Sequence, residues 1–547
     1  MYKVTVENKT YEFKEKKTLL EIRELVNAKG FVATVNNCLR ELGYYVNYDC
    51  QVAFLGFENY DAIRVYETSL RFVLTMAIYN LYPKATVRFN QCISRSLACQ
   101  VDGVGVIDQI FLNNLNQELQ RIIKADYPIH RLKKTKEEAI EFYKKLGASD
   151  KLDVLKYQNS SDSVTMYECN GFINYMFGYM IAKTGDLVDY QLMLFHPNFL
   201  VRYPRSEENG KIPMVFDNAP ALGQMIDDAK DWSRMIGANT IPEINRHIKK
   251  DGGIDLINIC ETKHNNQFAE LGNIIKDNIN RVRLIAIAGP SSSGKTTFSN
   301  RLRIELLSKG IKPVKVSIDD YYLDRELAPK DELGEPDLEH VNALDIKLFN
   351  EHLLALIQGK EVEMPRFDFK IGKRVKGHKV RVHNNEPIII EGIHALNESL
   401  TASIPKHQKF RIYISPLAQI NIDGQTPISA TDIRLLRRIV RDNAFRKTSI
   451  EETFDMWPNV RKGEFRWIYP YQETADFVFN TELTYELAVM KRYAYPLLTA
   501  ISSESKYYVM ASRLLKFLRY FLDIDPKLVP INSLLKEFIG GSCFEDK

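Results

Sequence analysis

The chain has 547 residues, too many for one hydrophobic core, and its length alone calls for about three or four domains. Charged residues make up 26% and hydrophobic residues 45%, an ordinary globular balance, and a formal net charge of only +4 argues against a nucleic-acid or membrane-surface protein. The seven cysteines are odd in number and form no C-x-x-C pair, so they read as reduced thiols of a cytoplasmic protein, and neither a signal segment nor a bilayer-length apolar run is apparent.

In chain order, the alternation Tyr2, Val4, Val6, the turn Glu7-Asn8-Lys9 and then Tyr11 and Phe13 predict a β-hairpin. Thr18-Leu19-Leu20-Glu21 predicts a capped helix start, with strands at Phe31 to Val35 and Cys50 to Phe54. A second unit is expected from about Asp61. It has a helix through Leu70 to Leu81 closed by Tyr82-Pro83, strands at Ala85 to Phe89 and Leu97 to Val101, and helices at Asn113 to Ala125 and Lys136 to Leu146.

The element order over 1–205, with Leu81-Tyr82-Pro83, Lys136-Glu137-Glu138-Ala139-Ile140-Glu141-Phe142 and Lys183-Thr184-Gly185, resembles the two N-terminal domains of threonyl-tRNA synthetases. The resemblance implies a ubiquitin-like TGS domain at 1–60 and an editing-like domain at 61–205. In that family the editing site uses an H-x-x-x-H pair and a later cysteine and histidine. Here the first pair falls on Thr68 and Phe72 and the later one on Met176 and Met180; another register offers Cys169 but puts Ile173 in the histidine position. Met, Ile, Phe and Thr cannot replace imidazole or thiolate, so this half is expected to keep the scaffold without the editing chemistry.

Residues 206–280 read as a helical connector that packs the two halves together, with helices at Ala219 to Ile236, Ile241 to Ile248 and Asn265 to Ile279 and a break at Gly252-Gly253.

The apolar run Arg283 to Ala288 then enters Gly289-Pro290-Ser291-Ser292-Ser293-Gly294-Lys295-Thr296-Thr297, followed by helical spacing of Phe298, Leu302, Ile304 and Leu306. This is the phosphate-loop pattern in its strand–loop–helix setting. Successive backbone N–H groups and the helix N-terminus suit a polyphosphate, Lys295 reaches the β/γ-phosphates and the Thr296 hydroxyl takes one Mg²⁺ position. Further strands are expected at Val314 to Ile318, Ile388 to Glu391, Phe410 to Ile414 and Phe477 to Phe479, giving an α/β fold with a parallel sheet flanked by helices. Three features at strand or helix ends carry chemistry. Asp319, in Ser317-Ile318-Asp319-Asp320-Tyr321-Tyr322, can accept a proton from an attacking hydroxyl. Glu391 ends an apolar strand and suits Mg²⁺ ligation through water. Arg434, Arg437, Arg438 and Arg441 share one helical face and can converge on a triphosphate.

With Leu338-Glu339-His340-Val341-Asn342-Ala343-Leu344-Asp345 and Pro365-Arg366-Phe367-Asp368-Phe369 added, residues 281–482 resemble the uridine kinase/phosphoribulokinase family, most closely uridine–cytidine kinases. The resemblance implies ATP and Mg²⁺ as cofactors. Asp319 becomes the general base, Lys295, Arg438 and Arg441 act on the transferring phosphoryl group, and Thr296 and Glu391 hold the metal. Tyr322, Glu339, Phe367 and Arg434 then fall at the substrate. Two positions depart from the family: the ribose-binding aspartate is Glu339, and the histidine that reads the pyrimidine edge is Gly372, so the base preferred is not implied.

The tail, 483–547, reads as packing helices or an oligomer contact, from Tyr485 to Asp523 with a last docked turn at Ser533 to Ile539. The expected function is phosphoryl transfer from ATP to a nucleoside 5′-hydroxyl by a cytoplasmic enzyme. Its expected partner is a small-molecule nucleoside, with no membrane and no nucleic acid, and a homo-oligomer is left open. The alternatives are another small hydroxylated acceptor, as in phosphoribulokinase or pantothenate kinase, and an ATP-sensing, tRNA-binding regulatory protein.

Overall fold

The computed structural model describes residues 1–544 apart from 159–162, 217–218, 332–333, 369–370, 384–385 and 418–419; Phe369 of the motif above lies outside the described residues. Residues 1–55 form a five-stranded sheet around the first hairpin, with Cys50–Leu55 parallel to Tyr2–Val6 and the helix Leu19–Leu25 capped by the expected Thr18–Glu21 box. Next comes one long helix, Tyr60–Leu81, ten residues longer at its start than its apolar spacing indicates because Asn59 caps it. It packs with a four-stranded antiparallel sheet, of which the strands Gln191–Phe195 and Asn198–Arg202 were not anticipated.

The kinase-like half is built on a five-stranded sheet whose ladders are all parallel. In chain order its elements are β1 (Leu284–Ala288), α1 (Lys295–Ser308), β2 (Val314–Ser317), β3 (Ile388–Glu391), β4 (Lys409–Ser415), α2 (Ala430–Arg441), α3 (Ile450–Trp467) and β5 (Phe477–Asn480), with spatial strand order β2-β3-β1-β4-β5. Every residue of β1 is buried; Leu284, Ala286 and Ala288 point into one core while Ile285 and Ile287 point into another. Helices cover both faces, which is what a fully apolar parallel strand requires.

The connector packs into the kinase-like half as well as joining it to the rest. Its helices Ile241–Asp251 and Ile254–Asp277 place Ile244, Leu256, Phe268 and Ile275 in the same core as Ile285, Phe298 and Leu302. The second of these helices starts eleven residues earlier than expected, because Gly252 and Gly253 end one helix and begin the next. The tail joins this core too, through Glu486–Thr499 and Tyr508–Leu518, two helices where the sequence suggested one. Among the described residues no helix is long and apolar enough to cross a membrane.

Candidate active site

At the end of β1 the chain enters the phosphate loop. Gly289 is required by close approach: a Cβ there would sit 2.1 Å from the Ile414 carbonyl of neighbouring β4. The Lys295 ammonium donates to the Gly289 and Pro290 carbonyls at 3.0 and 3.1 Å, and burial depresses its pKa. The Ser292 and Ser293 hydroxyls are buried without a hydrogen-bond partner, so polar capacity inside the loop is unspent.

The arginine face of α2 does not project freely at a ligand. Arg434 donates through Nε to the Ser291 carbonyl at 2.9 Å and is clamped by Glu464; burial pushes its pKa down to about 10. Arg437 is fully buried, bonds Glu486 and the Thr481 carbonyl, and reaches the Ser292 carbonyl at 3.4 Å. Arg438 donates to the Ser291 hydroxyl at 2.9 Å. Three of the four arginines thus grip the phosphate loop itself. Arg434 in particular lies at the loop with a carboxylate partner of its own, a positioning arrangement where the family resemblance implied substrate contact. Arg441 pairs with Asp442 at 2.8 Å, and the same buried carboxylate lies 3.2 Å from Arg438 and 3.6 Å from Arg446.

Asp319 follows β2. Burial raises its pKa, opposed by Lys295, Arg446, Arg441 and Lys315. Its neighbour Asp320 is committed elsewhere, accepting the Phe367 backbone N–H at 3.2 Å and so tying down the hairpin Val362–Asp368/Lys373–Val380. Tyr322 and Phe367 are buried beside each other, ring centroids 5.6 Å apart. Glu339 sits in the notch left by Gly463 on α3, where burial pushes its carboxyl up to about 7. Gly372 occupies the hairpin turn with φ +65°, its carbonyl accepting the Arg325 N–H at 3.0 Å. That left-handed turn accounts for glycine where the resembling family has a histidine.

Glu391 is 6% exposed, with Lys315 4.0 Å away as its nearest cation, and burial pushes it up to about 7. A buried carboxylate with so little positive charge against it is a hard-oxygen donor of the kind Mg²⁺ takes, and the Thr296 hydroxyl at the start of α1 is of the same chemistry. Among the described residues no group of three or more His, Cys, Asp or Glu is arranged for a metal. Mg²⁺ beside a polyphosphate needs no such group, because phosphate and water oxygens complete its shell.

Three residues of this site escaped the sequence reading. Lys315 lies on β2 facing Glu391. Arg446 follows α2 through a wider π-turn, Asp442–Arg446, which breaks the helical spacing used to pick the arginines. Glu537, on the short helix Lys536–Ile539 of the tail, accepts the Thr297 backbone N–H at 2.9 Å. The expected docked turn is therefore present, and it brings a carboxylate to the N-terminus of α1, where a nucleotide phosphate would also seek that N–H.

Within residues 61–205, Phe72, Met176, Met180 and Cys169 are all buried, and the Thr68 hydroxyl donates to the Arg64 carbonyl at 2.8 Å. Burial pushes the Cys169 thiol up to about 11, away from the thiolate a metal needs.

Comparison with known proteins gives a match of residues 284–488 to the model described as the Phosphoribulokinase / Uridine kinase family. Uridine kinase of Borrelia turicatae is 32% identical over 201 residues, 36% of this chain and 85% of that protein. Uridine kinase of Brevibacillus brevis is 29% identical over 196 residues, 36% of this chain and 83% of that protein. Threonine–tRNA ligase of Syntrophomonas wolfei is 25% identical over 221 residues, 40% of this chain but 34% of that protein.

Proposed function

Through residues 284–488 the chain belongs to the phosphoribulokinase/uridine kinase family of P-loop kinases, and from that premise we propose that it phosphorylates the 5′-hydroxyl of a nucleoside with ATP. The observation that carries the reading is the grouping around the phosphate loop. A half-buried Asp319, flanked by Lys295, Arg441, Arg446 and Lys315, stands beside the aromatic pair Tyr322–Phe367 and a second half-buried acid, Glu339.

In this reading Tyr322 and Phe367 hold the base, and Glu339, once ionised, accepts sugar hydroxyls. Asp319 takes the proton of the 5′-hydroxyl as its oxygen bonds to the γ-phosphorus and the bond from that phosphorus to the β-phosphate oxygen breaks, releasing ADP. Loop N–H groups, Lys295 and Arg441 stabilise the negative charge spread over the transferring group. Thr296 and Glu391 are the residues that would hold Mg²⁺, which supplies charge neutralisation on the β- and γ-phosphates when bound. Arg434, Arg437 and Arg438 act indirectly, fixing the loop through the Ser291 and Ser292 carbonyls and the Ser291 hydroxyl. The N-terminal half is proposed as TGS-like and editing-like scaffold without hydrolytic chemistry, the buried methionines at 176 and 180 being the support.

The test is ATP consumption with Mg²⁺ against a panel of ribo- and deoxyribonucleosides, with Asp319→Asn as control. Turnover with one nucleoside that disappears in the variant supports the reading. If no nucleoside is phosphorylated while ATP still binds, the nucleoside assignment fails and other hydroxyl acceptors take its place.

A further inference from the structure

Away from the phosphate loop, a cavity of about 620 Å³ opens where three parts of the chain meet. Its walls come from the long helix Tyr60–Leu81, the segment Tyr175 to Tyr179, the loop Ile422 to Ile428 leading into α2, and the tail helix Tyr508–Leu518. The size suits a small-molecule ligand.

Its charge is out of balance. Eight lining side chains are cationic and three are carboxylates. The three carboxylates are already engaged: Asp61 with Arg513 at 3.2 Å, Glu67 with Arg71 at 3.4 Å, and Asp432 with both Arg64 and Arg513 at 3.4 Å. Arg131 pairs with Glu41 at 3.6 Å. That leaves Arg40, Lys133, Lys516 and Arg519 outside any ion pair among the described residues. Lys516 faces the open cavity over the rings of Phe177 and Tyr179, at 4.8 and 5.6 Å. Tyr157, Tyr175, Tyr508 and Tyr520 complete an aromatic lining. Surplus cations recognise phosphates, and half-buried rings such as Tyr508 can take a flat heterocycle.

The cavity is also joined to the phosphate loop by one rigid element. The loop leading into α2 is embedded in the N-terminal half: Lys151 and Asp423 make a buried ion pair at 2.9 Å, Asn174 donates to the Gln425 side chain at 2.8 Å, and the Phe89 N–H donates to the Gly424 carbonyl at 3.0 Å. Asp432 lies in the first turn of α2, and Arg434 and Arg438 on the same helix hold Ser291.

We propose that this cavity is a second ligand site, for a small phosphorylated ring compound of the nucleotide class, whose binding is felt at the phosphate loop through α2. The experiment is calorimetric binding of UTP, ATP and inorganic tripolyphosphate to the full chain carrying Lys295→Ala, which disables the phosphate loop. We expect one nucleotide per chain to bind still, more tightly than tripolyphosphate, and Lys516→Glu with Arg519→Glu to weaken it at least tenfold. Both altered residues face solvent, and an unchanged thermal midpoint checks that the chain remains folded. In the chain with Lys295 intact, the nucleotide should slow hydrogen exchange in 430–441. Loss of all nucleotide binding with Lys295→Ala, indifference to the charge reversals, tripolyphosphate binding as tightly as nucleotide, unchanged exchange in α2, or binding of single-stranded RNA alone would each overturn the proposal. Because binding is read without turnover, it fails or stands independently of the kinase reading.

Discussion

Glu537 and a nucleotide phosphate want the same donor, and the conflict has a magnitude. The carboxylate accepts the Thr297 N–H at 2.9 Å, and its helix is anchored by Leu534, Leu535 and Phe538, all buried, with Phe538 under the Arg437 guanidinium at 5.0 Å. A hydrogen bond to a charged group contributes roughly 1.5–3 kcal/mol, and placement at a helix N-terminus adds about 0.3–1 kcal/mol. Glu537 is half-exposed, so the lower end applies, about 1.5 kcal/mol, or roughly tenfold in an equilibrium. ATP binds the fraction of molecules whose carboxylate has moved aside, so its apparent affinity is reduced by that fraction. Glu537→Ala should therefore lower KM for ATP about tenfold, read from initial rates at saturating acceptor or from the midpoint of a fluorescent-nucleotide titration. Glu537→Gln keeps an acceptor oxygen without the charge and should fall between the two. An ATP KM that is unchanged or raised in Glu537→Ala would refute the competition and make the tail a structural support of the loop.

Asp319→Asn should lower kcat by about 10²–10⁴ while leaving ATP binding by calorimetry intact, since only proton acceptance is removed. At saturating Mg-ATP, kcat/KM for the acceptor should rise with pH through about 7, where the raised carboxyl of Glu339 ionises, and Glu339→Gln should remove that contribution and leave the limb of Asp319. Gly372→Ala puts a Cβ 3.3 Å from Arg325 in a left-handed conformation and should cost about 1–2 kcal/mol by urea denaturation. Lys151→Ala strands buried Asp423 and should cost about 3–5 kcal/mol, whereas Lys151→Met with Asp423→Leu should recover most of it. Burial opposes ionisation of Asp423, but Lys151 outweighs it and holds the pKa below the usual value. The pair's contribution is therefore complete above the ordinary aspartate range and lost as pH falls through the depressed value, an acid limb that the double variant should lack.

The phosphate loop, the alternation of strands and the acids at strand ends were legible because each is a local pattern with one physical meaning. Asp319, Glu391 and Lys295 needed only a strand end or a glycine-rich turn to be found. What the sequence hid was pairing across long separations. Nothing local distinguishes Arg434, matched to Glu464, from Arg441, which closes on its neighbour Asp442. Spacing alone aims the arginine face of α2 at a ligand, yet three of its arginines serve loop oxygens. Glu537 carries no motif, and only the fold brings it 240 positions back to Thr297. The extent to which the connector packs was hidden for a related reason: its polar average concealed the buried Leu256, Phe268 and Ile275.

The shared core has a consequence for assembly order. Residues from Ala139 to Ile539 contribute to one apolar cluster, with β1 and α1 in its middle. Contacts so distant along the chain require closing long loops before they give any stabilisation, which slows folding and keeps apolar surface open meanwhile. The strand carrying the phosphate loop is thus buttressed by helices made long before it and by helices made long after it. A segment cut at 281 and 482 would keep every kinase motif yet expose one side of its own sheet. For expression and for dissection, the smallest self-sufficient piece is larger than the family match.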